Sequence, residues 1–263
     1  MEYLKHGGVR LFSCIFFFCF FSIAAFGQFG KKDKQSKADT ELIDQLQEAE
    51  AIFAEGMKEY VLENYSKALS AFEKSLNLKK DNPATNYMIA QIYYRQRNYY
   101  KAIQFAQTAL KLDDSNKYYY LLLAQLYNQK QDFNEEAKTY QALIKKVPNT
   151  QEHYYDLASV YFQQQKYEEA IKALDKFEKY VGINEEIIKQ KQQLYLKLNK
   201  INDAIAEGVK LMEAYPDEPR YVVNQIELLI TNEKFDEAEK LCEQLLKKDA
   251  HNPYAHLMLS EIY

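Results

Sequence analysis

The chain has 263 residues, of which 47% are hydrophobic and 27% charged, a composition that predicts a folded protein over most of its length. Only seven Gly and five Pro are present, too few turn formers for a β-sandwich or barrel and too few glycines for a nucleotide-binding loop. The 38 acidic residues outnumber the 34 basic ones, giving a net charge of −4, so no nucleic-acid partner is expected.

The first 27 residues have the order of a secretory signal peptide: a basic stretch, an apolar run and small residues. Lys5 and Arg10 precede an uncharged, Phe-rich run over residues 11–26, and Gln28 would begin the mature chain. The run is shorter than the roughly 20 residues of a membrane-spanning helix, so an uncleaved inner-membrane anchor is the alternative. The Lys-, Asn- and Gln-rich composition resembles that of AT-rich Gram-negative bacteria. We therefore expect an exported protein, periplasmic or associated with the outer envelope, that meets a membrane only through this segment.

Cysteine usage agrees with such a cleavage. Cys14 and Cys19 lie in the apolar run, so Cys242 would be the single cysteine of the mature chain and could form no intramolecular disulfide. We expect it to be buried, because a free cysteine packs as a small apolar side chain.

The next segment, residues 28–40, is polar and lysine-rich and is predicted to be a solvated linker. Asp39 and Thr40 are candidate N-caps of the first helix, because their side chains can accept hydrogen bonds from its free amides. The folded domain is therefore expected to cover residues 41–263.

A 34-residue period runs through this domain. Pro83, Pro219 and Pro253 open new segments and are separated by 136 and 34 residues, and 136 is four times 34. Blocks of 34 that start at residues 49, 83, 117, 151, 185 and 219, with a partial block from 253, align without insertion or deletion. Positions 8 and 20 of the blocks are mostly small, and positions 11 and 17 are mostly aromatic. The small columns include Gly56, Ala90, Ala124, Ala158, Ala68, Ala102, Ala170, Ala204 and Ala238, and the aromatic ones Tyr93, Tyr127, Tyr161, Tyr195, Tyr65, Tyr99, Phe133 and Tyr167.

Each block fits two helices of about 14 residues joined by a short polar turn. Small residues in two columns would let helix backbones approach closely, and the large residues in the other two would fill the space beside that contact. One block cannot bury its apolar face alone, so neighbouring blocks are expected to stack and share a continuous core. The pattern therefore predicts an all-α fold.

The period and its four columns resemble the tetratricopeptide repeat, and the resemblance covers residues 49–263. It implies a right-handed α-solenoid of 34-residue helix-turn-helix repeats. The proline that the family usually has at position 32 is present only at Pro148 and Pro216.

The partial last block stops at position 11, after the first helix of a repeat. No second helix follows to cover Leu257, Leu259, Ile262 and Tyr263, whereas a natural solenoid closes with a polar cap. We therefore expect the chain to be the N-terminal piece of a longer protein, the alternative being that this helix is itself the cap.

The fifth block, residues 185–218, departs most from the pattern. Lys191 and Gln192 stand where apolar and small residues are usual, and Gly208 lies mid-helix where the family has an aromatic residue. A mid-helix glycine costs roughly 1 kcal/mol relative to alanine. We expect this block to open locally before its neighbours.

In the tetratricopeptide family, positions 2, 5, 9, 12 and 13 of the first helix form the concave face. These positions bring together aromatic side chains, amides and few charges, which suit an extended peptide or an amphipathic helix in a groove. The alternative is that many of the tyrosines complete the packing between repeats with their hydroxyls in water, and Tyr93, Tyr127 and Tyr161 are expected in the core. The candidates for partner binding are Tyr87, Gln91, Tyr94, Arg95, Tyr118, Leu121, Gln125, Asn128, Tyr155 and Phe162.

Some tetratricopeptide domains bind the acidic C-termini of chaperones through a clamp of Lys, Asn and Arg. The nearest match consists of Lys189, Gln193 and Asn224, followed by Tyr254 and Met258. Since the last two cannot pair with a carboxylate, we do not expect this activity.

Catalytic and metal sites are not expected. No GxxxxGK[ST], HExxH or GxSxG sequence occurs. His153, His251 and His256 have no cysteine or carboxylate spacing that indicates a metal ion. The sequence therefore predicts neither an enzyme nor a cofactor.

Three functional hypotheses follow. The leading one is an exported scaffold that binds a protein or peptide in its concave face, in cell-envelope assembly or secretion. The second is the ligand-input domain of a longer, membrane-associated sensor or signalling protein. The third is an enzyme with a helical accessory domain, whose catalytic module would follow Tyr263.

Overall fold

Residues 32–263 are described by a computed structural model. The predicted signal peptide, residues 1–27, and the start of the predicted linker lie outside the described residues. The chain divides into two units, Met1–Asp44 and Gln45–Tyr263. Six complete repeats lie in the second unit, and they are numbered one to six from their first residues at 49, 83, 117, 151, 185 and 219.

The described residues form thirteen α-helices and contain no strand. Each repeat is a hairpin of a first and a second helix, and from the second helix of repeat one onward every helix packs against the next one in the chain. The helices are α1 (Lys32–Val61), α2 (Tyr65–Leu78), α3 (Pro83–Arg95), α4 (Tyr99–Leu112), α5 (Lys117–Gln129), α6 (Phe133–Lys146), α7 (His153–Gln163), α8 (Tyr167–Val181), α9 (Glu185–Lys197), α10 (Ile201–Ala214), α11 (Pro219–Thr231), α12 (Phe235–Lys248) and α13 (Pro253–Ile262).

The start of α1 differs from the prediction. The helix begins at Lys32, so residues 32–40 are helical and the predicted start of the helix at an N-cap, Asp39 or Thr40, was wrong. That residues 28–40 act as a linker stays a prediction. No Pro or Gly lies between Lys32 and Gly56, and most residues of this stretch are Lys, Gln, Ala, Glu or Leu, which favour a helix. A good capping residue therefore does not start a helix where the preceding residues can extend it.

The other helices follow the 34-residue period closely. All six second helices begin at position 17 of their repeats, and the first helices of repeats two, three, five and six begin at position 1, as does α13. Proline opens three of these helices, where its missing N–H and fixed φ are favourable. In four of them an asparagine N-cap accepts a hydrogen bond from a first-turn amide. These caps are Asn82, Asn116, Asn184 and Asn252.

The turn inside each repeat has the same backbone conformation in all six repeats. The residue at position 15 has a left-handed φ of 56–59°, a region that favours glycine because a Cβ is strained there. None of the six residues is glycine. They are Glu63, Arg97, Gln131, Gln165, Asn199 and Glu233.

Small residues mark the places where helices approach most closely. A Cβ built on Gly56 would lie 2.7 Å from the ring of Phe72, so a larger residue at position 8 of repeat one would displace that ring. Five alanines at position 20 are fully buried between helices, as the column predicted. These alanines are Ala68, Ala102, Ala170, Ala204 and Ala238.

A buried ion network, not foreseen from the sequence, lies at repeat five. Lys191 is fully buried, and its Nζ lies 2.5 Å from Asp175 Oδ1, 2.8 Å from Glu178 Oε2 and 2.8 Å from Glu207 Oε1. Lys210 Nζ lies 3.4 Å from Glu178 Oε1 and 2.9 Å from Glu207 Oε2. Burial disfavours the charged ammonium of Lys191, but hydrogen bonds to the three carboxylates outweigh it and raise the pKa of Lys191.

No empty space is left beside Gly208, although the aromatic side chain that the family has at this position is missing. A Cβ at this position would lie 1.9 Å from Oε1 of Gln225 and 2.8 Å from Nε2 of Gln192. These two glutamine side chains therefore occupy the space, and the glycine lets α11 approach α10.

The last helix is partly covered. Ala255 and Met258 are buried, and Leu259 and Ile262 pack against the core cluster of repeat six. Leu257 is 53% exposed, because it lies on the side of α13 that faces away from this cluster.

Candidate functional site

Seven of the ten predicted binding residues line one cavity. It has a volume of about 320 Å³ and lies between α3 and α5, the first helices of repeats two and three. We call it the α3–α5 cavity. Its lining combines aromatic rings, amides and one guanidinium, because positions 5, 9, 12 and 13 of one helix meet positions 2, 5, 6 and 9 of the next. The lining residues are Tyr87, Gln91, Tyr94, Arg95, Tyr118, Leu121, Leu122 and Gln125.

Tyrosine and glutamine side chains connect successive first helices along this surface. The Tyr60 hydroxyl donates to Gln91 Oε1 at 2.7 Å, and Gln125 Nε2 donates to the Tyr94 hydroxyl at 2.8 Å. Both bonds join position 12 of one repeat to position 9 of the next. The tyrosines thus contribute to packing between repeats, which was one of the two interpretations. Their hydroxyls also bond to amides of the neighbouring repeat.

Arg95 is held at the rim of the α3–α5 cavity by aromatic side chains. Its Nε donates to the Tyr60 hydroxyl at 3.0 Å, and its guanidinium carbon lies 5.5 Å from the ring centroids of both Tyr60 and Tyr65. These contacts use one edge of the guanidinium, and the side chain is exposed. The arrangement offers its remaining N–H groups to a carboxylate or carbonyl of a ligand.

Two tyrosines give the cavity its apolar surface. Tyr118 is 49% exposed. Tyr87 is half-buried, with its ring centroid 5.2 Å from that of Tyr119. Burial raises the pKa of Tyr87 above its usual 10.0, and the hydroxyl, like that of any tyrosine at neutral pH, is protonated and can donate a hydrogen bond.

Three predicted binding residues lie elsewhere. Asn128 donates to both carboxylate oxygens of Glu136 at 3.2 Å, and Glu136 is only 4% exposed at position 20, where alanine is usual. Burial raises the pKa of Glu136. Asn128 therefore stabilises a buried carboxyl group inside repeat three, and its role in partner binding stays a prediction. A signal for this pair existed, because both residues depart from their columns in the same block.

Tyr155 and Phe162 belong to repeat four. The Tyr155 hydroxyl accepts a hydrogen bond from Gln190 Nε2 at 2.6 Å, and its ring centroid lies 5.5 Å from that of Phe177, so Tyr155 mainly joins repeats four and five. Phe162 is 45% exposed and lines a separate cavity of about 480 Å³ between α7 and α9. Their role in partner binding stays a prediction.

Two of the three tyrosines expected in the core are buried there. Tyr93 and Tyr127 are each 8% exposed, whereas Tyr161 is half-buried. Cys242 is buried and free, and burial raises the pKa of its thiol. His153 Nδ1 lies 2.7 Å from Asp156 Oδ2.

Within the part of the chain that the structure describes, no three His, Cys, Asp or Glu side chains are grouped so that they could hold a metal ion. None of the helices found there combines the length and the apolar character needed to cross a membrane.

Family models described as tetratricopeptide repeat match residues 62–126 and 121–180. A search of curated proteins finds no match. Similar solved structures include a chain of Naa15/Naa10 bound to HypK-THB, with a TM-score of 0.62 and 17% identity over 81% of this chain. This chain spans only 34% of that relative.

Two further solved structures are matched over most of their own length. MamA has a TM-score of 0.53 and 18% identity, over 66% of this chain and 96% of MamA. A tetratricopeptide repeat protein from Parabacteroides merdae ATCC 43184 has a TM-score of 0.52 and 16% identity, over 82% of this chain and 86% of that protein. At these identities the structures show the fold, and the predicted all-α solenoid of helix-turn-helix repeats is confirmed.

Proposed function

Because the chain belongs to the tetratricopeptide repeat proteins, we propose that it is a scaffold that binds an extended peptide or a helix of a partner protein along the first helices of repeats two and three. The observation that carries this proposal is the α3–α5 cavity, which gathers seven residues chosen from their repeat positions alone. We propose no catalytic role.

The chemistry of the cavity favours a peptide. Tyr87 and Tyr118 offer apolar surface with few rotatable bonds, a property of residues that contribute most to protein interfaces. Gln125 and Arg95 offer polar groups that can bond to a peptide backbone or to a carboxylate. The bonds from Tyr60 to Gln91 and from Gln125 to Tyr94 fix these side chains before a ligand arrives, which lowers the entropy lost on binding.

The cellular setting is a further proposal. A cleaved segment at residues 1–27 would place the scaffold in the periplasm or at the outer envelope, where envelope assembly or secretion needs protein docking. An anchor at residues 11–26 would instead hold it at the inner membrane. The same surface would serve the alternative function, the input domain of a membrane-associated sensor, and the identity of the bound partner distinguishes the two.

The proposal is tested by changing the cavity without changing its supports. Tyr118→Ala combined with Leu121→Ala removes apolar contact area, and we expect partner recovery in a pull-down with the tagged chain to fall about tenfold or more. Tyr100→Ala is the matched control, since Tyr100 is also an exposed tyrosine, at 69%, but lies on α4. Unchanged recovery by the double variant, with a thermal unfolding curve like that of the wild type, would refute the proposal.

A further inference from the structure

A second groove lies on a different surface of the repeats. It has a volume of about 470 Å³, is bounded by α6, α7 and α8, and shares no lining residue with the α3–α5 cavity. Its floor is apolar and includes Ile144 and Leu157. Three exposed lysines, Lys145, Lys172 and Lys176, surround the floor together with one acidic side chain, that of Glu169. We call it the basic groove.

The same groove exists one repeat earlier, between α4, α5 and α6, with a volume of about 520 Å³. All ten residues that line the basic groove have counterparts there, 34 residues earlier in the chain. Two lysines of the earlier groove are neutralised, because Lys138 Nζ lies 2.5 Å from Glu135 Oε1 and Lys146 Nζ lies 2.5 Å from Asp114 Oδ2.

Three substitutions between these repeats change the charge of the groove, which becomes more positive by one charge in total. Asp114 of the earlier groove corresponds to Pro148, so an acid is lost, and Ala142 corresponds to Lys176, so a cation is added. Lys146 corresponds to Tyr180, so one cation is lost. In the described part of the chain Lys145, Lys172 and Lys176 take part in no ion pair. Lys176 Nζ lies 5.2 Å from the ring centroid of Tyr154, which sets this charge beside the groove.

In repeats two and five, the corresponding place is filled by a side chain of the repeat itself. Where the basic groove has Ala173, repeat two has Phe105, whose ring stacks on Tyr93 with centroids 5.7 Å apart. Where it has Leu157, repeat five has Lys191, whose ion network occupies the space. The basic groove thus combines an open apolar floor with unpaired cations.

We propose that the basic groove is a second docking site, which takes an acidic segment of a partner protein. An apolar side chain of the segment would lie on Ile144 and Leu157, and its carboxylates would pair with Lys145, Lys172 and Lys176. Charge complementarity selects this occupant, because three lysines face one glutamate around the groove. Such pairing is screened by salt, so binding should weaken as ionic strength rises.

Random peptides displayed on phage provide the probe, with the whole chain immobilised. We expect the selected peptides to be enriched in Asp and Glu around an apolar residue. The best of them, synthesised and measured by calorimetry, should bind at least about tenfold more weakly to the variant Lys145→Glu, Lys172→Glu, Lys176→Glu, since three attractive ion pairs become repulsive contacts.

The control is the same charge reversal in the earlier groove, Lys111→Glu, Lys138→Glu, Lys146→Glu, which should leave the affinity within about twofold of the wild type. A second variant keeps the lysines and fills the floor: Ala173→Phe, which copies Phe105 of repeat two, should also weaken binding at least about tenfold. The proposal is overturned if the selected peptides are no more acidic than the library, if both charge reversals weaken binding equally, or if Ala173→Phe binds as the wild type does.

Discussion

At the scale of single residues, Lys191 is a charged group buried where the two preceding repeats have an apolar side chain. The equivalent positions in repeats three and four hold Leu123 and Leu157, so an apolar side chain fits this place in the fold. A buried ion pair seldom stabilises more than such an apolar residue would, but removing one partner leaves the other charges buried and unpaired. Lys191 is therefore required by Glu178 and Glu207 rather than being a source of stability in its own right.

Replacing Lys191 alone should be strongly destabilising. We expect Lys191→Met to lower the free energy of unfolding by about 3–5 kcal/mol, because it leaves the carboxylates of Glu178 and Glu207 buried without their main cation. The control gives each position the residue found one repeat earlier: Lys191→Leu with Glu178→Ile and Glu207→Ala should recover most of the loss. Urea denaturation measures both, and a single variant as stable as the wild type would show that the network does not hold the repeat.

The network also predicts a pH dependence. Burial opposes ionisation of Glu178, but hydrogen bonds from Lys191 and Lys210 outweigh it, so its pKa is below the usual 4.5. A carboxyl group with a lowered pKa stabilises the fold above its unfolded pKa, and this stabilisation is lost as the pH falls through the folded pKa. The difference in stability between the wild type and Lys191→Met should therefore shrink as the pH falls below 4.5, the usual pKa of this carboxyl group. A difference that stays constant over this range would contradict this role of Glu178.

At the scale of elements, the turns carry a recurrent strain. Every repeat places a residue with a Cβ in the left-handed region at position 15, which costs about 1–2 kcal/mol for most residues and less for Asn. Glycine would relieve the strain, although part of the gain is offset by its greater freedom in the unfolded chain.

We expect Gln131→Gly to raise the stability by about 0.5–1 kcal/mol. Asn199→Gly, in the equivalent turn of repeat five, should gain less, since asparagine already tolerates this conformation. Midpoints of urea denaturation compare the two variants. An equal or larger gain at Asn199 would mean that backbone strain is not the cause.

Repeat five should open before its neighbours. Its second helix carries Gly208 in the middle, and its first helix buries the charge of Lys191, so this hairpin gains less from burial than repeats two and three do. In hydrogen exchange we expect amides of α9 and α10 to exchange faster than those of α3 and α4. Equal protection in the two hairpins would contradict this.

The sequence predicts the elements better than it predicts the side-chain partners. Helix positions follow from one period, because similar residues recur at the same places in consecutive blocks. The start of α1 could not be predicted from a local cap at Asp39 or Thr40, since helix formers extend on both sides. The network of Lys191 could not be predicted either, because its acids come from two other helices and meet only when the repeats stack.

The same reason limits the prediction of the binding site. Seven of the candidates chosen by their repeat positions line the α3–α5 cavity, since those residues share one face of two adjacent helices. Asn128 and Tyr155 stand at repeat positions that line the cavity elsewhere, yet their side chains bond to Glu136 and Gln190. Whether a polar side chain faces a ligand depends on its neighbour across the helix packing, and the repeat pattern contains no information on that pairing.

At the scale of the unit Gln45–Tyr263, the repeats present two chemically different surfaces, and both suit the proposed scaffold. The α3–α5 cavity lies between first helices and is rich in tyrosine and glutamine. The basic groove lies beside second helices and presents unpaired lysines. Because they share no residue, the two sites can be inactivated separately, and we propose that they recognise different segments.

The most direct test of the central proposal is site-specific cross-linking in cells that produce the chain. A photoreactive phenylalanine analogue placed at Tyr118, in the α3–α5 cavity, should capture a partner protein, and one placed at Tyr100 on α4 should not capture the same species. Both positions are exposed tyrosines, so exposure alone cannot explain a difference. The same cross-linked product from both positions, or none from Tyr118, would contradict docking at the α3–α5 cavity.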